Sequence, residues 1–395
     1  MQKIWLAILL ALVSLCGWAH QAPREQLGSA AAFAPDGRLW LVGVNGHGGL
    51  FVQTAPAHNL NQWDAPRVLA TQGDAIAAHG ESRPKLVFGP KGEVLITYNQ
   101  PLAKPDTGTI RMLRSTDGGQ SFSQPFTVQA DRQEITHRFE TSIVDAQGAL
   151  HTVWVDKRDL ELAPKVGKKS SYRGAAIYRN VSTDGGATFG PDIRVADHAC
   201  ECCRLALALG TDGRARAIWR HVFEPNVRDH AITVLDADQP TQVAPIVRAT
   251  FDDWQINACP HHGPSLAAAS DGGFHAVWFG VRKQGAEALA AVRYARLNTH
   301  GSPQPDSVRA LPDERAEHAE VLAAGARVAV VWRSVDGARS SLKAWLSDDD
   351  GKTFALKVLG EVAGANDLPH LVQQGARMVV VWRSAKGVQV HELSF

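Results

Sequence analysis

Four of the five cysteines in this 395-residue chain lie in two short stretches, Cys200-Glu-Cys202-Cys203-Arg204 and Cys259-Pro-His261-His262-Gly-Pro. Close-set thiolates with imidazoles at hand form the donor set that selects monovalent copper or zinc over hard cations. On that reading Cys200, Cys202, Cys203 and Cys259 are the primary ligands, His261 or His262 completes the shell, and His198 stands in reserve. Copper is favoured over zinc, because a thiolate cluster on an exposed rim does not resemble a closed structural zinc knuckle. The same four cysteines allow two disulfides in three pairings, which would make the chain a stapled interaction scaffold. Three thiols between positions 200 and 203 weigh against that alternative, since they demand a vicinal bridge at Cys202-Cys203 or two bridges fanning from one loop.

A repeat can bring the two stretches together. One unit recurs along the chain: a short apolar strand, a turn ending in glycine, and a second apolar strand closing on an aromatic residue. Its glycines stand at 37, 92, 148, 213, 272, 325 and 375, separated by 55, 56, 65, 59, 53 and 50 residues. That period suits a four-stranded blade with its loops, and the Val, Ile, Ala and Trp-rich strands with Gly, Asp or Pro at their turns follow hairpin grammar. No segment shows a long helical period. The expected fold is therefore all-β, a propeller of six or seven blades, with Trp154, Trp219, Trp278, Trp332 and Trp382 filling the core between blades. The last unit ends at Phe395 after about three strands, so ring closure is expected to draw on an N-terminal strand at 20–27.

In a propeller, ligands meet the face where the chain enters each innermost strand and where second strands hand over to third ones. The entering loops carry Arg83, Cys202 to Arg204, Cys259 to Gly263, His318 and His370, and the handover loops carry Asp156, Asp159, Arg220, His221, Arg228, Asp229, Arg282, Arg333 and Arg383. The two cysteine stretches enter successive blades at the same register, which places all four thiols on one rim.

Three units carry a second motif: Ser115-Thr-Asp117-Gly118-Gly119-Gln-Ser-Phe122, Ser182-Thr-Asp184-Gly185-Gly186-Ala-Thr-Phe189 and Ser347-Asp-Asp349-Asp350-Gly351-Lys-Thr-Phe354. These resemble Asp boxes, tight turns in which Ser and Asp side chains bond the backbone and Gly takes a positive φ. With them the chain resembles the sialidase-like, BNR-repeat propeller superfamily over nearly all of its length. The resemblance implies an alternative function, that of an exo-α-sialidase acting on sialylated glycans, in which arginines grip a carboxylate, a tyrosine is the nucleophile and an aspartate the acid. Ser82-Arg83-Pro84 is similar to the family's arginine-bearing motif, Arg204 shares its register, and Arg220, Arg333 or Arg383 could supply a third. Of the four tyrosines only Tyr172, in the Lys-rich loop 160–174, could reach the funnel, and Asp156, Asp159, Glu140 or Asp229 could act as acid or base.

Lys and Arg number 41 against 40 Asp and Glu, with no long run of either sign, which leaves no electrostatic footprint for nucleic acid or an anionic membrane surface. The expected partner is a metal ion, a small ligand or a glycan, and the expected state is a monomer. Lys3, the apolar stretch from Ile4 to Leu15 and Gly17-Trp18-Ala19 read as an export signal, 1–19, cleaved after Ala19 and followed by a single domain at 20–395. Leu15 stands where a lipobox would need a small residue, so lipidation at Cys16 is disfavoured. The mature chain, with no second apolar run of spanning length, is expected in a periplasm or outside the cell, where disulfides are permitted.

Overall fold

All seven repeat glycines take a positive φ, from 57° at Gly375 to 88° at Gly37, so each turns the hairpin that the spacing assigns to it. A computed structural model describes residues 27–395 apart from 167–168, 171, 239–243 and 286. The described residues form six four-stranded antiparallel sheets, one of three strands and a small two-stranded sheet of Lys165–Val166 and Lys169–Ser170. Blade 1 is Ser29–Phe33, Leu39–Val44, Leu50–Ala55 and Arg67–Val68; blade 2 is Lys85–Phe88, Val94–Pro101, Gly108–Ser115 and Phe126–Thr127; blade 3 is His137–Val144, Leu150–Asp156, Ala175–Ser182 and Ile193–Ala199. Blade 4 is Ala206–Leu209, Ala215–Arg220, His230–Leu235 and Val247–Arg248; blade 5 is Ser265–Ala268, Phe274–Gln284, Glu287–Leu297 and Arg309–Ala310. Blade 6 is Ala316–Ala324, Arg327–Asp336, Arg339–Ser347 and Ala355–Ala363, and blade 7 is His370–Gln374, Arg377–Ser384 and Gly387–Glu392.

Each innermost strand touches the next, and the innermost strand of blade 7 touches that of blade 1, which closes a seven-bladed β-propeller. Second strands are packed between blades and therefore run apolar on both faces; every residue of Leu39–Val44 is buried. The five core tryptophans are buried as expected, and each indole N–H finds an acceptor, at Asp156, His221, Asp252, Asp313 or the Asp367 carbonyl. Tyr98 occupies the same register in blade 2 and donates its hydroxyl to Asp74 at 2.7 Å.

The three Asp boxes lie between third and fourth strands, with Ser115, Ser182 and Ser347 Oγ accepting from the backbone N–H of Gly119, Gly186 and Gly351 at 2.8–2.9 Å. Each box also grips the preceding blade. A Cβ on Gly119 would stand 2.3 Å from the Trp40 ring, one on Gly186 3.0 Å from Leu95, and one on Gly351 1.9 Å from the Tyr294 hydroxyl. The box glycines are thus required twice, for their backbone conformation and for close approach between blades.

The expected closing strand within 20–27 is not seen at Leu27, which lies outside any strand, and residues 20–26 are outside the described ones, as is the expected signal at 1–19. Other contacts join the ends. Ser29 N and Oγ both donate to Asp367 Oδ2, the Arg383 guanidinium donates to the Leu27 and Val44 carbonyls, and Asn61 bonds both backbone groups of Val390 on the outer strand of blade 7. Among the described residues no helix is long and apolar enough to cross a membrane.

Candidate metal centre

The loop entering blade 4 is short and held at both ends. Cys200 N donates to the Arg220 carbonyl at 2.9 Å, and Arg204 N donates to the Glu81 carboxylate at 2.7 Å. Four residues turning between two fixed points direct three thiols inward. Cys200, Cys202 and Cys203 are buried together, with Sγ separations of 3.6 Å (200 to 202), 3.7 Å (200 to 203) and 4.0 Å (202 to 203). These are far longer than the ~2.05 Å of a disulfide, and all four cysteines of the described chain are free thiols. The circle through the three sulfurs has a radius of about 2.2 Å, so one ion with metal–sulfur bonds of ~2.3 Å reaches all three from a point just outside their plane.

The loop entering blade 5 comes alongside. Gly263 allows it: a Cβ there would stand 2.2 Å from Arg204 Cγ and 2.6 Å from the Arg204 carbonyl oxygen. Asn226 Nδ2 bonds the Ile256 carbonyl and the Asn257 side chain, and Arg220 Nη2 bonds the His262 carbonyl, so the stretch between is tied down on either side. Cys259 and His261 are exposed, and their donor atoms lie within 4.8 Å of each other and of the Cys202 sulfur. The four thiols therefore do not form one cluster. They form two groups, a buried triad and a rim group of Cys202, Cys259 and His261, with Cys202 in both.

His262, named with His261 as a candidate to complete the shell, belongs to neither group. Its ring stacks on His318 at 4.4 Å and on Phe279 at 4.5 Å, and burial pushes its pKa down to about 3. His198 likewise stays outside both groups, its Nδ1 accepting from Arg173 N at 3.1 Å. His198 and His261 are among the few non-glycine residues with φ near +55°, at 57° and 52°. A left-handed conformation costs such residues about 1–2 kcal/mol, the kind of backbone strain that clusters at functional sites.

The charge around the triad is positive. Arg220, only 1 % exposed, donates to the carbonyls of Arg228, His262 and Phe279 at 2.7–3.0 Å and lies 5.3 Å from the Trp254 ring. Arg228 Nη1 is 3.6 Å from Cys200 Sγ. Among the described residues neither guanidinium has a carboxylate within ion-pair distance. A buried cation without an anion is costly, and the thiols supply one. Hydrogen bonds from Cys202 and Cys203, helped by the Arg220 charge, pull the Cys200 thiol far below its ordinary range, while the bonds to Cys200 push Cys202 and Cys203 up.

A second charged cluster occupies the centre of the same face. Arg204 Nη1 pairs with Glu81 at 2.8 Å, and Glu81 also meets His318 Nδ1 at 3.0 Å. Arg83 lies 2.9 Å from His370 Nε2 and pairs with Glu320 and Asp367 at 3.5 and 3.6 Å. Beside it burial lowers the Lys85 pKa and raises that of Glu140. Glu81, Glu320 and Asp367 were not singled out from the sequence, although they stand within three residues of Arg83, His318 and His370 and share their register.

The residues named for a sialidase do not assemble as such. Arg83 and Arg204 already hold carboxylates of this chain, Arg333 pairs with Glu317 at 2.8 Å, and Arg220 faces carbonyls. Tyr172 donates to Asp197 at 2.6 Å and its ring lies 4.6 Å from the tilted His198 ring, and burial with that bond raises its pKa. Asp156 is buried, accepting from Trp154 Nε1 and from the Arg158 backbone and guanidinium at 2.7–3.0 Å. Asp159 takes the Tyr178 hydroxyl, and Asp229 pairs with Arg248.

No family model matches the chain, and no curated protein sequence matches it. Solved structures do match in fold. An ulvan lyase bound to a GlcA(1-4)Rha3S unit aligns with TM-score 0.57 at 11 % identity, covering 94 % of each chain. YCF48 bound to D1 peptide aligns with TM-score 0.52 at 16 % identity, covering 95 % of this chain and 94 % of that one. A Penicillium chrysogenum α-L-arabinanase complexed with arabinobiose aligns with TM-score 0.51 at 12 % identity, covering 85 % of this chain and 93 % of that one. At these identities the likeness is one of fold, the propeller that the sialidase-like resemblance implied.

Proposed function

We propose that this chain is an exported propeller that binds one soft transition-metal ion at the Cys200, Cys202 and Cys203 triad, with monovalent copper preferred over zinc. The observation that carries the reading is the pairing of three buried sulfurs, spaced for a single ion, with two arginines that have no carboxylate partner among the described residues. Three thiolates around a monovalent ion leave a charge of −2, which Arg220 and Arg228 match. A divalent ion would leave −1 and seek a fourth ligand. Export with cleavage after Ala19 belongs to the same proposal. The test is anaerobic reconstitution of the full-length mature protein with monovalent copper or zinc, followed by metal analysis and X-ray absorption. One copper per chain with three sulfur neighbours supports the reading; absence of bound copper in competition with a moderate chelator overturns it.

The names of two fold neighbours favour a second reading, a carbohydrate-active propeller. The arginines at the centre of the face are already engaged by carboxylates, which weighs against a sialidase-like grip on an acidic sugar. Turnover on a panel of sialosides and uronate-containing polysaccharides, abolished by Arg83→Ala, would establish it.

A further inference from the structure

The triad is buried, yet one of its three sulfurs also belongs to the exposed rim group. We infer that Cys259 and His261 form an exchange arm, which passes monovalent copper through Cys202 between the buried triad and a copper carrier that presents the ion on thiolates. This inference rests on the copper reading of the triad. Cys202 is the only residue the two groups share, and within each group every donor atom lies within 4.8 Å of the others. An ion can therefore change partners one bond at a time without losing contact with Cys202. The accessibility of the two groups differs in the sense an exchange route needs: Cys200 and Cys203 are closed to solvent, while Cys259 and His261 are exposed. The arm is also held in place, since Asn226, Arg220 and the close approach at Gly263 tether it on both sides.

The chemistry is ligand exchange without redox change. The carrier's thiolates release copper as the Cys202 and Cys259 sulfurs and the His261 imidazole bind it. Bonds to Cys200 and Cys203 then form as those to Cys259 and His261 break, and Cys202 stays bound throughout. Protons displaced from this chain's thiols are taken up by the carrier's freed thiolates. A thiolate carrier is preferred to an oxygen-donor one because both groups of ligands here are soft. The arm also has one imidazole where the triad has a third sulfur, a weaker holder of monovalent copper, so transfer runs inward.

The experiment uses the full-length mature protein, with copper–glutathione as the probe and a chromogenic copper(I) chelator for competition. In Cys259→Ser/His261→Ala, loading from copper–glutathione is expected to slow at least tenfold, and unloading to excess chelator to slow by a similar factor, so that affinity falls far less than either rate. In Cys200→Ser/Cys203→Ser the affinity is expected to fall at least a hundredfold. Near-UV circular dichroism reports whether each variant keeps its fold; Cys259→Ala alone serves if the double variant does not. Loading at the wild-type rate in the arm variant overturns the arm and leaves the triad standing. An affinity loss as large as that of the triad variant also overturns it, making the two groups one site. A wild-type protein that takes up no copper overturns the triad reading and the arm with it.

Discussion

Two pairs of arginines on the same propeller face meet opposite fates. At the centre, Arg83 and Arg204 are matched by Glu81, Glu320 and Asp367, each from another blade than the arginine it pairs with. At the rim, Arg220 and Arg228 meet carbonyls, an amide and sulfur. The first arrangement holds blades 2, 4, 6 and 7 against one another at the innermost strands and the loops that enter them. The second leaves positive charge directed at three thiols, and that is the difference between a cluster that builds the fold and one that awaits an anionic ligand set. Residue type alone did not separate them.

The largest effect should come from the triad. Replacing Cys200, Cys202 and Cys203 together by serine is expected to lower copper affinity by a factor of at least a thousand while thermal stability moves by only a few degrees, as read by chelator competition and calorimetry. The mirror experiment at the centre is Arg204→Met. It strands the Glu81 carboxylate in a buried site, so stability should fall by about 3–5 kcal/mol in urea unfolding with copper affinity changed little. Equal effects of Arg204→Met and Arg220→Met on affinity would erase the distinction between the two clusters.

Both clusters should strengthen as pH rises, but in different windows. Burial alone would raise Glu320 and Asp367, but His370 and Arg83 outweigh it and bring both to about 2, below their ordinary 4.5 and 3.8. Their contribution to stability is present above those ordinary values and is lost as pH falls from about 4.5 toward 2. Copper affinity responds in a higher window: Cys202 and Cys203 are pushed up and must lose protons to bind, so apparent affinity should rise about a hundredfold per pH unit between 6 and 8. A pH-independent affinity would remove the triad as ligand. The smallest effect expected is that of Gly263→Ala, which forces the two cysteine loops apart and should cost about 1–3 kcal/mol of stability by overpacking, together with a several-fold slower copper uptake.

Much of the fold was legible in the chain. Seven glycines at blade spacing, the buried tryptophans and the Asp boxes each identify a local feature, a positive-φ turn, an apolar strand or a side-chain-capped loop, and all stand where the spacing puts them. The count of blades was open because the resembled family has six while the repeat shows seven inner hairpins, the last of them in a blade with three strands among the described residues. The rim register was equally legible: it brought Arg83 to His370, and Arg204 to His318. The acidic partners were not, since a lone glutamate in a loop reads the same whether solvated or buried against an arginine two blades away.

For this protein the sequence by itself determined the repeat, the propeller and the convergence of the cysteine loops, because each follows from local backbone preference and periodic burial. Only the tertiary structure decided that the four thiols divide into a buried triad and an exposed arm, that His262 turns to stack on His318, and that Arg83 and Arg204 are neutralised while Arg220 and Arg228 are not. Those outcomes depend on distances and charge pairings between blades, which long-range packing sets and residue spacing does not encode.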